Sequence, residues 1–97
     1  MIAPDLLRTR LWIDGAYADA ADGATYDNRD PASGEVFAQV AAGGAADVAR
    51  AVAAARRAFD EGPWPRTTAA QRAKVLRKLA ELLVDQREDL ALSLIHI

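Results

Sequence analysis

At Gly43-Gly44 the hydrophobic period of the chain changes, and that change limits the possible folds more than any other feature of the sequence. Upstream, apolar residues come in short runs separated by turn dipeptides: Asp14-Gly15, Asp22-Gly23, Asp30-Pro31 and Ser33-Gly34. Downstream they recur every three or four residues. A period near two specifies strands and a period near 3.6 specifies helices. The expected order is therefore several short antiparallel strands followed by two or three helices, an α+β segment.

The turns set the strand boundaries. Leu11-Trp12-Ile13 reads as a strand, and Asp14-Gly15 tolerates positive φ at both residues, which favours a hairpin returning through Tyr17-Ala18-Asp19. Asp22-Gly23 reads as a second turn of the same chemistry. Thr25 to Arg29 forms the next strand and stops at Asp30-Pro31, because proline lacks an amide hydrogen and restricts the residue before it. In the strand Val36–Val40, simple alternation puts Val36, Ala38 and Val40 on one face and Phe37 and Gln39 on the other.

Val48, Ala51, Val52, Ala55 and Phe59 share one face of a helix expected over Ala46–Glu61, with Arg50, Arg56 and Asp60 off that face. Asp47 in its first turn suits the positive end of the helix dipole. A face built mostly of alanine implies a close neighbour, and the stripe is expected to stand exposed in this chain taken alone. Gly62-Pro63 and Trp64-Pro65 end the helix. Thr68, with Gln71 three residues on, has capping-box spacing and opens a second helix. Val75, Leu76, Leu79, Leu82 and Leu83 form its apolar stripe, and Arg77 can pair with Glu81 on the outer side. The pattern runs to about Gln86, and Leu90 and Leu94 suggest one more helical piece.

A chain of 97 residues is one small domain at most, and at this size only about 60–65% of the unfolded surface is buried. With 52% hydrophobic residues it is built to pack, and a net charge of -2 gives no drive toward nucleic acid or anionic lipid. No stretch approaches the roughly 20 apolar residues of a membrane helix. Asp5 interrupts the first apolar run, and Arg8 and Arg10 follow it instead of preceding it, unlike a secretory signal. A cytoplasmic location is the expectation. There is no cysteine, hence no disulfide, thiolate metal site or cysteine nucleophile in this stretch.

No catalytic constellation emerges from the residues themselves. Gly43-Gly44 lies between a strand and a helix, where exposed amides can cradle phosphate. The G-x-G-x-x-G fingerprint is missing, however, and Asp47 would repel an anion there. His96 is the single histidine and has no cysteine or second histidine to share a metal with. The carboxylates read as solvated surface. Arg72, Lys74, Arg77 and Lys78 cluster on the second helix but are followed at once by Glu81, Asp85, Glu88 and Asp89. Trp12 and Trp64 read as packing anchors, Trp64 pinning the corner between the helices.

Four blocks nevertheless carry a likeness: LWIDGAY at 11–17, DPASGEVFAQV at 30–40, AVAAARRAFDEGPW at 51–64 and QRAKVLRKLAELL at 71–83. In order and spacing they resemble the N-terminal portion of the NAD(P)-dependent aldehyde dehydrogenase superfamily, with Asp30 where an asparagine is usual. The resemblance implies a longer parent of α/β fold, with a Rossmann-type cofactor domain, a catalytic domain and a small bridging sheet that joins a homodimer or homotetramer. It implies NAD or NADP as cofactor and an aldehyde as substrate, oxidised to the acid through attack by a cysteine thiolate, hydride transfer and hydrolysis of the thioester. The helical blocks resemble most those of enzymes for amino- or betaine-type aldehydes, such as γ-glutamyl-aminobutyraldehyde dehydrogenases.

On that resemblance the cysteine, its general base and the cofactor-binding residues fall beyond residue 97. No catalytic or cofactor-binding residue maps onto this chain, which is expected to be a scaffold segment inactive alone. Many members hold a monovalent cation on backbone carbonyls at positions matching Asn28 and Arg29, with an aspartate that would fall at Ile97. Isoleucine supplies no oxygen, so that site is incomplete as written. Residues 11–92 then form the N-terminal part of the cofactor-binding domain, preceded by a flexible stretch, 1–10. Residues 93–97, SLIHI, depart from the family and read as a foreign tail where a longer protein was cut. The competing expectation is a small non-enzymatic interaction module that binds a partner protein through its exposed helix faces.

Overall fold

The computed structural model describes residues 7–95, the last three by backbone alone. Strands precede helices, as the period change requires. β1 (Leu11–Ile13) and β2 (Ala16–Ala18) form one antiparallel pair. β3 (Thr25–Arg29) and β4 (Val36–Ala41) form another. They are followed by α1 (Ala45–Glu61), a single 3-10 turn (Trp64–Arg66), α2 (Ala69–Asp85) and α3 (Arg87–Ile95).

The first hairpin follows from its turn. Asp14 and Gly15 both take positive φ, 55° and 77°, the twisted two-residue loop that matches the twist of the flanking strands. Its register places Trp12 opposite Tyr17, and their rings meet edge to face at 4.7 Å. The Asp22-Gly23 turn works differently from the first: only Gly23 has positive φ, and it closes the turn by donating to the Ala20 carbonyl at 2.8 Å. Asp22 instead accepts from the Ala24 amide through its side chain.

Simple alternation fails in β4. Asn28 pairs with Ala38 but Arg29 pairs with Val36, so Phe37 is an extra residue, a β-bulge. The bulge breaks the expected faces: Phe37 and Ala38 are both half-buried while Val36 is exposed. Beyond it the pleat is regular, and Thr25, Gln39 and Asp27 form a hydrogen-bonded polar strip on one face. The two hairpins are tied at one edge, where the Ala41 amide donates to the Thr9 carbonyl at 2.8 Å.

Both helix boundaries lie where the caps put them. The capping box of α2 is complete: Thr68 Oγ1 accepts from the Gln71 amide and Gln71 Oε1 from the Thr68 amide. Thr68→Ala removes half of it and is expected to cost about 1 kcal/mol of helix stability, read as lower helicity by circular dichroism in the isolated chain. On α2 the expected Arg77–Glu81 pair gives way to Lys78–Glu81 at 3.7 Å, one residue closer along the same face.

Gly62 ends α1 in extended conformation, φ −76°, so the glycine is not there to supply positive φ. It is there for space: a Cβ at that position would run into the Ala58 carbonyl oxygen. Gly62→Ala is accordingly expected to destabilise by about 1–3 kcal/mol, a loss visible as fraying of the last turn of α1 in amide exchange.

The described residues hold almost no interior. Ala20 is the one buried apolar residue among them and Asp47 the one buried polar residue, each 4% exposed. The radius of gyration is 16.8 Å and the extents are 48 × 35 × 18 Å, against about 13 Å for a compact domain of this length.

Candidate functional site

Two features stand out, and the first is the surroundings of Asp47. Its side chain is 5% exposed and collects three donors: the Gly44 amide on Oδ2 at 2.9 Å, and the Ala21 amide and Arg50 Nη2 on Oδ1 at 3.0 and 2.6 Å. The Gly44 contact closes the N-terminus of α1. The Ala21 contact reaches back 26 residues to the turn after β2. Hydrogen bonds from the Gly44 amide and then from Arg50 hold the carboxyl below the usual carboxylate range. A second contact joins the same units, Arg57 Nη2 to Asp14 Oδ2 at 2.7 Å.

Asp47 corrects two expectations. It is not solvated surface like the other carboxylates. Nor does it merely favour the helix dipole, since it carries one of the tertiary bonds between α1 and the hairpin region. A glycine N-cap followed three residues later by an acidic residue signals the cap. No local signal announces Ala21. Asp47 also bears on any cofactor: its carboxylate already takes the Gly44 amide at the α1 N-terminus, where a phosphate would sit.

The second feature is apolar. On α1 the half-buried residue is Ala54, on the side carrying Asp47, Arg50 and Arg57 that faces the β1–β2 hairpin. The stripe read as its packing face points away, with Val48, Val52 and Phe59 60, 61 and 62% exposed. On α2, Val75, Leu76, Leu79, Leu82 and Leu83 are 42–60% exposed. Two capped amphipathic helices thus present their apolar sides outward, which in a folded protein marks a surface meant to be covered. The aromatic anchors behave alike. Trp64 stays exposed in the 3-10 turn, and Trp12, which packs on Tyr17, is exposed as well.

The remaining candidates lie on separate elements. Asn28 and Arg29 flank the register shift at the bulge, and the Arg29 guanidinium donates to the Gly34 carbonyl at 3.0 Å and lies 3.7 Å from Asp27. Among the described residues no three His, Cys, Asp or Glu side chains come together as metal ligands. Within the basic cluster, Arg72 is spent on the Thr67 carbonyl at 2.6 Å and Lys78 on Glu81. His96 and Ile97 lie outside the described residues, as do residues 1–6 of the N-terminal stretch. Among the described residues no helix is long and apolar enough to cross a membrane.

Comparison with known proteins supplies what the geometry lacks. The profile of the aldehyde dehydrogenase family matches residues 17–96. Aldehyde dehydrogenase family 2 member C4 of Arabidopsis thaliana is 49% identical over 88 residues, 91% of this chain and 18% of its own length. The crystal structure of succinate-semialdehyde dehydrogenase from Burkholderia pseudomallei superposes with a TM-score of 0.88 at 40% identity, over 99% of this chain and 20% of that one. A point variant of betaine aldehyde dehydrogenase from Staphylococcus aureus, solved in complex with NAD+, gives 0.82 at 40% identity, over 86% of this chain and 17% of that one. The chain thus spans about a fifth or less of the length of these relatives.

Proposed function

The chain belongs to the aldehyde dehydrogenase family, and on that premise we propose that it is a scaffold segment of an oxidoreductase that converts an aldehyde to a carboxylic acid with NAD+ or NADP+. The observation that carries the scaffold role is the outward apolar side of α1 and α2, set on helices whose ends are already capped. Such a surface lowers its free energy when other parts of a folded enzyme cover it, by about 25 cal/mol for each Å² of apolar area removed from water. The chemistry belongs to residues that this chain does not contain. Its own residues shape a layer: Asp47 and Arg57 fix α1 to the strands, and the caps fix where the helices begin and end.

Overall similarity does not single out one aldehyde for the parent reaction. Relatives named for betaine aldehyde and for succinate semialdehyde match this chain at the same 40% identity, although one substrate carries a cation and the other a carboxylate. NAD+ in the Staphylococcus aureus complex supports a nicotinamide cofactor for the parent reaction.

The test is a chimera. Residues 11–92 replace the matching stretch of the Burkholderia pseudomallei enzyme, and succinate semialdehyde oxidation is followed by the absorbance of the reduced nicotinamide, with NAD+ and NADP+ in parallel. We expect a soluble chimera that keeps measurable activity, reduced by up to about a hundredfold where the exchanged layer shifts the positioning of the catalytic residues. The 97-residue chain alone is expected to show none. Activity of the chain alone, or a folded chimera without activity, sinks the proposal.

A further inference from the structure

We draw no further inference here: the strongest candidate, the exposed apolar side shared by α1 and α2, carries nothing beyond the scaffold role already proposed, because nothing in the structure shows what covers it.

Discussion

Val52→Asp and Leu79→Asp are expected to act in opposite ways in the isolated chain and in the chimera. Both side chains stand more than half exposed here, at 61 and 52%. In the 97-residue chain each new carboxylate stays in water, so helicity by circular dichroism should fall only by the few tenths of a kcal/mol of lower helix propensity, while aggregation and binding of a hydrophobic dye fall. In the chimera the same carboxylate would be sealed against apolar neighbours without a partner. That burial costs roughly 3 kcal/mol or more, a large part of a typical total stability of about 5–15 kcal/mol. The expected readout is a sharp loss of soluble enzyme and a melting midpoint lower by many degrees, with Val52→Ile as the tolerated control. If the chimera melts unchanged with either aspartate, the helix faces are open to solvent in the assembled enzyme as well. The interaction-module reading would then take the place of the scaffold reading.

The second large effect concerns Asp47. Asp47→Ala leaves the Gly44 and Ala21 amides without their acceptor and strips Arg50 of its partner. Exchange of these two amides should rise by about tenfold or more, the scale of a lost hydrogen bond to a charged group. Asp47→Asn is expected to fall between, because it keeps one acceptor and turns an NH2 group toward the donors. The pH dependence has a definite sign. The folded carboxyl ionises below its unfolded range, so its contribution is complete above the ordinary carboxylate range. It is lost as pH falls through the lower, folded value. Amide exchange at Ala21 corrected for intrinsic rate should therefore accelerate in acid in the native chain and stay flat in Asp47→Ala. An Ala21 amide equally protected in both would show that the turn is held by something other than this carboxylate.

Neither effect follows from local pattern alone. The hairpin at Asp14-Gly15, the β3 boundaries, the Thr68–Gln71 box and the stop at Gly62-Pro63 were legible because each depends on residues within four positions of one another. Four spaced blocks also sufficed for the family, since their order and gaps constrain far more than any single motif. The bulge at Phe37 was not legible, because an extra residue in one strand is defined by the register of its partner. The Lys78–Glu81 pair displaced Arg77–Glu81 because i,i+3 and i,i+4 neighbours are nearly equivalent on a helix, and rotamers decide between them.

Sequence alone determined the kinds of element, their order, their caps and the family, since these rest on backbone preference and on residue spacing. Tertiary structure decided which side of α1 meets the strands. Hydrophobic periodicity marks the face that must be covered, but it does not say by what. Here the side with Asp47, Arg50, Ala54 and Arg57 lies on the hairpin, because specific hydrogen bonds to Ala21 and Asp14 are available there. The valines and Phe59 are left facing outward. The Asp47 carboxylate accepts from an amide 26 residues away in sequence and ties α1 to the turn after β2, and only three-dimensional proximity could reveal it.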